Sequence, residues 1–528
     1  MQHVRRLPLR LFPLLVLALT SVSCHPGAYR PNPAVEIKRG SRPGLFRSND
    51  VFRNRVGRFV RDVVEDRSPV VCGTGMGRQG RWNIVIDLYY EGQKRASARA
   101  GSTVLWKTLK RAARRAAIRG RLDRNQMSRT WMAVRFRDRN YSLIEHRGRG
   151  YELQGGVIPV RRLDRGRLEK AIDRSRRYLA RMVDPQFHGV HKYYYAPTDS
   201  FENRLHTIYT SSLIYTLLKI GDWEGRSAVS ERVRECSNFV LSMQNTDPES
   251  EQFGAFHYSF FTTHQRKDRV YPVGTAAKTI FTLLELHDRT GEDHYREAAV
   301  RAADWLLRMV GPRGNIRPFA RWEDGRWWYV HRKSLLFEGQ VLSALSRLYG
   351  YTGRDAYLRA ARKIARRFAV LVETEGTYLG DDYRAPNPIS SSWVLLSLLD
   401  FHKVTGNQYY RDVVFQIADD LLERQVRDTG NILGFGRWPG ALSTSGNGWL
   451  MEVFSELFLF CRGKDFGRPA QYKGAVLKGA RWVLERTYRP ANAFLIPNPK
   501  RATGGLFWNR SKRYVRTDSV CHGLNALI

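Results

Sequence analysis

Two pairs of ionisable residues stand at helical spacing in this sequence. Glu452 and Glu456 are four residues apart, as are Asp518 and His522, so each pair shares one face of a helix. Asp381 and Asp382 are adjacent and run into Tyr383 and Arg384, a grouping able to orient a water or hold a cation. Glu338 sits among Leu335, Leu336, Phe337, Val341 and Leu342. A carboxyl in apolar surroundings has a raised pKa and can serve as a general acid; it can equally be a buried structural acid bonded to a loop. Glu338, Asp382, Glu452 and His522 are the candidate acids and bases of this set.

A second set suits binding. Tyr193, Tyr194 and Tyr195 are consecutive, and Arg204 and His206 follow at the start of an apolar segment. Extended tyrosines alternate sides, so at least one can face a cavity and stack on a sugar ring, or all can wedge the loop against helix ends. Tyr194, Tyr195 and His206 join the candidate catalytic residues. Arg204, Trp327, Trp328, Tyr383, Arg384, Trp449, Arg516 and Asp518 are the candidate substrate-binding residues; an arginine can pair with a carboxylate through two N–H groups. Glu323-Asp324-Gly325 reads as a tight turn between two short strands, with its acids in water. Cys521 precedes His522 by one position and points elsewhere on a helix, which argues against a Cys–His nucleophile. There is no HxxxH or HExxH pattern, and neither a metal nor another cofactor is expected.

These residues need elements to position them, and a repeat supplies those elements. Thr290-Gly291, Thr352-Gly353 and Thr405-Gly406 each precede a tyrosine (Tyr295, Tyr357, Tyr409 or Tyr410) and a polar-faced helix. A strongly apolar helix precedes each. Apolar helices start near 206, 275, 334, 390, 447 and 518, with partners near 228, 293, 355, 408 and 472. The helix from 167 to 182 is unpaired, and beside the last helix it would close a ring. The expected fold is mainly α, an (α/α)6 toroid over 167–528 with a small N-terminal α/β domain. Long loops precede the apolar inner helices and the opposite turns are short, so one mouth of the ring carries the chemistry. Helix N-termini facing that mouth favour anionic ligands.

The chain has 42% hydrophobic and 26% charged residues, too apolar for a disordered chain and too charged for a polytopic membrane protein. Its net charge of +38 favours a polyanionic partner. Arg5, Arg6 and Arg10 with the apolar run Leu11–Leu19 read as an export signal over 1–24, with Cys24 as a lipidation site, placing the protein in a bacterial envelope as a periplasmic or outer-membrane lipoprotein. Residues 25–70 read as a basic linker or arm. A small basic α/β domain follows over 71–166, with strands at 82–90, 131–136, 141–145 and 156–160 and a helix at 102–118. From 25 to 167 there are 33 basic and 12 acidic residues, more than half of the whole excess. An acidic polysaccharide, an anionic membrane surface or a cell-wall polymer is the expected partner.

In its order of strand, alanine-paired helix and strand, the small domain weakly resembles an AMMECR1-type domain. The ring and its loops resemble the six-hairpin superfamily of glycoside hydrolases, polysaccharide lyases and sugar epimerases. The Tyr193–Tyr195 loop leading to Arg204 resembles most the helical domain of D-glucuronyl C5-epimerases. That resemblance implies an acidic, uronate-containing polysaccharide and abstraction of the C5 proton, by an epimerase or a lyase. Tyr194 or Tyr195, His206 or His522, and Arg204 or Arg516 suit it chemically. The same ring with two carboxylates across the scissile bond would be a glycoside hydrolase, with Glu338 and Asp382 or Glu452 as the pair. A non-catalytic envelope glycan-binding or assembly protein is the third class.

Overall fold

The computed structural model describes residues 50–67, 79–90, 93–128, 130–136, 141–146, 150–153, 163–428, 434–464, 467–489, 493, 496–509 and 512–528. The expected signal with Cys24, and the strand expected at 156–160, lie outside the described residues. Among the described residues no helix is long and apolar enough to cross a membrane.

The N-terminal unit consists of α1 (Asp50–Val64), β1 (Gln79–Tyr90), β2 (Gln93–Val104), α2 (Leu105–Gly120), α3 (Arg124–Ser128), β3 (Trp131–Phe136), β4 (Tyr141–His146) and β5 (Gly150–Leu153). The strands form one antiparallel sheet in the order β2-β1-β3-β4-β5. Two expectations are corrected here. Residues 50–64 are a helix rather than part of an arm. Val56, Phe59, Val60, Val63 and Val64 recur on one face and join the core with Ile84, Ile86 and Leu88 of β1 and Leu109, Ala112, Ala113 and Ala116 of α2. Residues 93–104 are a full strand, so the helix expected at 102–118 begins only at Leu105. Buried Ala96, Ala98 and Ala100 alternate with exposed Arg95, Ser97 and Arg99, a period-two pattern written in small residues.

Strand β2 lies at the sheet edge. Arg111, Arg115 and Arg119 of α2 donate to its carbonyls at Gly101 (3.4 Å), Arg99 (3.0 Å) and Ser97 (2.9 Å). Four residues of helix rise about 6 Å and two residues of strand about 6.7 Å, so the two repeats run nearly in step. Among the described residues β2 pairs only with β1, and the arginines lie along its other edge, where another strand could otherwise pair.

The toroid has six inner helices: α5 (Thr207–Trp223), α7 (Val273–Thr290), α9 (Leu335–Thr352), α11 (Pro388–Thr405), α13 (Thr444–Cys461) and α16 (Thr517–Leu527). Each packs on the next, and α16 packs on α5, so the inner ring is closed. The outer helices are α4 (Arg165–Ala180), α6 (Glu231–Ser242), α8 (Asp293–Met309), α10 (Asp355–Glu375), α12 (Gln408–Glu423) and α14 (Arg468–Leu484). A short α15 (Pro499–Ala502) lies in the last loop. Helix α4 packs beside α16, as the unpaired first helix required.

Two glycine repeats build this ring. Gly291, Gly353 and Gly406 end α7, α9 and α11 in the left-handed conformation (φ 68, 64 and 68°), which costs glycine nothing. Their N–H groups donate to the carbonyls of His287, Tyr349 and His402. In the long loops, Gly254, Gly314, Gly436 and Gly504 also have positive φ. Each lies on an outer-helix carbonyl, of Arg301, Lys363, Lys478 and Arg174, where a Cβ would come within 2.0 to 2.6 Å. The seat of Gly504 on α4 repeats the other three and ties the last loop to the first helix.

The loops at the mouth are knitted into three small sheets. Their strands are β6 (Tyr193–Tyr195), β7 (Ser200–Phe201), β8 (Arg204–His206), β9 (Ser259–Phe261), β10 (Arg266–Lys267), β11 (Val270–Pro272), β12 (Phe319–Glu323), β13 (Arg326–Tyr329) and β14 (Val515–Arg516). Pairing of β14 with β6, Val515 opposite Tyr194, closes the rim as α16 closes the ring. Asp324 and Gly325 form the β12–β13 turn, both at positive φ, as the sequence suggested.

Candidate active site

The inner helices converge on one cavity, with Tyr215 from α5, Lys278 from α7, Arg347 from α9, Leu396 from α11, Glu452 from α13 and His522 from α16 in its wall. Its free space is about 40 Å³. At about 10–15 Å³ of such space per water, it holds a few waters or a small polar group rather than a sugar ring.

Gly448 sets the closest approach in this wall. A Cβ there would stand 3.0 Å from the Gly523 nitrogen and 3.2 Å from the His522 Cβ. Without it α13 and α16 lie together, and one turn further on the Glu452 carboxylate meets two partners. Its Oε2 is 2.6 Å from His522 Nδ1, and its Oε1 accepts from Asn525 Nδ2 at 2.8 Å. Burial alone would raise the Glu452 carboxyl, but His522, Lys278 and Lys219 outweigh it and bring the pKa down to about 2. With an ionised carboxylate on Nδ1, the imidazole keeps a proton on that nitrogen, so Nε2 is the nitrogen through which it can exchange one. Among the described residues Nε2 has no hydrogen bond, and His522 lines the cavity.

Trp449 lies beside this pair, 5.3 Å from the His522 ring, stacked on Trp393 at 3.9 Å, its indole N–H donating to Ser392 at 3.0 Å. The Lys278 ammonium sits over both indoles, at 5.5 and 5.4 Å from the ring centres. Burial lowers its pKa, as do the nearby Arg347 and Lys219, against the pull of Glu452. Deeper in the ring Glu456 meets Lys219 (3.6 Å) and Lys403 (3.8 Å), and Arg347 meets Asp400 (3.0 Å).

At the mouth, His206 is buried edge-on to Tyr209 and Tyr258. Its Nε2 stands 3.3 Å from Glu202 and its Nδ1 3.3 Å from the Ser259 hydroxyl. Burial lowers its pKa against the pull of Glu202. Lys192 donates to the Tyr258 hydroxyl at 3.2 Å and lies over the rings of Tyr193 and Tyr209. Arg516 forks onto Asp518 (3.0 and 2.6 Å) and also donates to the Tyr209 hydroxyl at 2.7 Å.

Several expected site residues stand elsewhere. Tyr194 is fully buried against Tyr178 and Phe201, with its hydroxyl donating to Asp199, because the alternation of β6 turns it away from the ring. Tyr193 and Tyr195 share the other side of β6 and stack at 5.7 Å. Glu338 points outward to Arg367 of α10 at 2.5 Å; burial raises its pKa, and the arginine opposes that shift. Asp382 accepts from the Lys333 N–H (2.7 Å) and Asp381 from the Leu335 N–H (2.9 Å), so together they clasp the start of α9. Glu338 is thus engaged by an outer helix and Asp382 by the start of α9, whereas Glu452 is engaged by His522 and Asn525. Tyr383 stacks under Arg332 at 4.2 Å, Arg204 over Phe261 at 5.2 Å, and Trp328, partly exposed, under Arg326 at 4.0 Å. Trp327 packs on Trp322 and Tyr271. Arg384 is drawn down in pKa by burial, with Asp381 opposing.

Asp518 pairs with Arg516 and the Ser445 hydroxyl rather than with His522. Cys521 does line the cavity, against expectation, but burial pushes its thiol up to about 12, which leaves it a poor nucleophile. Sequence reasoning missed Lys278, Lys192, Trp393 and Asn525. Lys278 had a signal: it is a cation in the apolar first half of helix α7, far from the basic last turn.

No family model and no curated protein matches the chain. Among solved structures, a cellobiose 2-epimerase from Bacillus thermoamylovorans superposes with a TM-score of 0.52 at 13% identity, over 69% of this chain and 98% of that one. A sugar epimerase from a ruminal bacterium gives 0.50 at 9% identity, over 69% and 98%. An alpha-1,6-mannanase from a Salegentibacter species, in complex with alpha-1,6-mannotriose, gives 0.49 at 13% identity, over 68% and 98%. At these identities the likeness is one of fold, and the chain has the helical toroid fold of the two epimerases.

Proposed function

We propose that the protein is an exported carbohydrate-active enzyme that abstracts the C5 proton of a uronate in an acidic polysaccharide, as an epimerase or a lyase. The observation that carries this reading is the His522–Glu452–Asn525 chain in the wall of the ring. It presents a tautomer-fixed imidazole nitrogen to a cavity that also holds a cation and an indole platform. A proton next to a carboxylate leaves only if a base is held in place and the growing charge is offset. In this reading His522 Nε2 takes the proton and Glu452 stabilises the imidazolium. Return of a proton to the opposite face gives the epimer, and loss of the group at C4 gives an unsaturated sugar. His206, in β8 just before the neighbouring helix α5 at the mouth, is the candidate for the second proton transfer. The occurrence of this fold in sugar epimerases supports looking for sugar chemistry.

The narrowness of the cavity favours a second reading, a ring that binds glycan without turning it over. One experiment separates them: the full chain is incubated with uronate and neutral glycans in heavy water and followed by mass and proton NMR. Deuterium at C5 without cleavage identifies an epimerase, and a new unsaturated end a lyase. A new reducing end without unsaturation identifies a hydrolase, and binding without reaction a non-catalytic protein.

The arginine row of α2 supports a companion proposal, that the N-terminal unit holds an acidic polysaccharide, or an anionic membrane surface or cell-wall polymer, at its sheet edge.

A further inference from the structure

The cations of the ring interior differ in one respect. Arg347 is held by Asp400, Arg516 by Asp518, Lys219 and Lys403 by Glu456, and Lys192 by the Tyr258 hydroxyl. Among the described residues Lys278 has neither a hydrogen bond nor a carboxylate within 4 Å; what surrounds its ammonium is the aromatic wall of Phe281, Trp393 and Trp449, at 5.4 to 5.6 Å. Glu452 attracts it through space, but both carboxylate oxygens are engaged by His522 and Asn525. A charge inside a protein without a counter-charge is costly, and ring faces offset only part of that cost. The ammonium faces the same cavity as His522, and the cavity has room for a group of carboxylate size but not for a sugar ring.

We propose that Lys278 is the seat of the substrate's carboxylate and therefore the residue that selects an acidic sugar. This rests on the proton-abstraction reading of the same site. With the carboxylate on Lys278 and the ring held toward the mouth, C5, the next atom along, comes to His522. When Nε2 takes the C5 proton, the C–H electron pair moves into the C5–C6 bond and a carboxylate oxygen gains the charge. Lys278 offsets that charge and forms no covalent bond; the pair returns to C5 on reprotonation or expels the C4 substituent. The aromatic wall and the lack of a competing acid keep the ammonium available to an incoming anion.

The test uses the full chain, as wild type and as Lys278→Met and Lys278→Arg. Calorimetry measures binding of a glucuronate-containing hexasaccharide and of the same hexasaccharide with its carboxyls reduced to alcohols. Deuterium uptake at C5 is followed in parallel, and melting temperature controls for folding. Lys278→Met is expected to weaken the acidic ligand at least about tenfold, the effect of losing one charged hydrogen bond. It should leave the reduced ligand within about twofold, and Lys278→Arg should recover much of the loss. Equal weakening of both ligands, no weakening, or no binding of the acidic ligand by wild type overturns the proposal. Lys278-dependent binding without deuterium uptake by wild type keeps the carboxylate seat and removes the proton-abstraction reading. Uptake that Lys278→Met leaves unchanged does the reverse.

Discussion

At the scale of single residues the account stands on Glu452 and His522. Their carboxylate–imidazole contact makes two separable predictions. A positioned general base contributes about 10² to 10⁴ in rate, so His522→Ala should lower turnover of the acidic glycan by that factor while leaving binding nearly intact. The second concerns pH. Glu452 has a folded pKa of about 2, below its ordinary value of about 4.5. Its contribution to stability, on the order of 3 kcal/mol, is therefore present above pH 4.5 and lost as pH falls toward 2. Denaturant unfolding over that range should show the decline in wild type and a flatter dependence in Glu452→Gln; identical slopes would remove Glu452 as the cause. The spacing of Glu452 and of His522 was legible in the sequence. Their meeting across two helices was not, because helical spacing reports only neighbours on the same helix. Asp518 illustrates the limit: it could reach His522 at four residues, but the Arg516 guanidinium two residues away makes two bonds to it.

At the scale of elements, the repeat of Thr-Gly before a buried tyrosine located the inner helix ends, because a left-handed C-cap demands glycine. Helix α1 and strand β2 were hidden by composition: arginines dilute the apolar face of one, and alanines stand for the buried positions of the other. The close approach at Gly448 predicts that Gly448→Val parts α13 from α16. Overpacking of this kind costs about 1–3 kcal/mol, and here it should also abolish whatever activity depends on the Glu452–His522 contact. A stable, fully active variant would show that the contact does not set the site. For α2, replacing Arg111, Arg115 and Arg119 together with alanine in the full chain should weaken heparin binding. The remaining affinity should depend less on salt, since exposed contacts are screened over about 8–10 Å. Unchanged binding would place the polyanion surface elsewhere.

At the scale of the whole molecule, closure of the ring positions the site, since His522 and Asn525 lie on the last inner helix and Glu452 on the inner helix before it. The unpaired helix at 165–180 and the missing twelfth partner made closure legible, whereas the outward turn of Glu338 and the clasp made by Asp382 were not, because both depend on the path of loops between hairpins. Deleting residues 519–528 should remove both the wall of the cavity and cooperative melting together. The central claim is that the ring interior removes a proton from an acidic sugar through His522. Its most direct test is deuterium incorporation at C5 of a glucuronate-containing oligosaccharide in heavy water, comparing wild type with His522→Ala at matched folding. The account predicts uptake by wild type that falls at least about a hundredfold in the variant; uptake that survives the loss of His522, or none by wild type with the oligosaccharide bound, would contradict it.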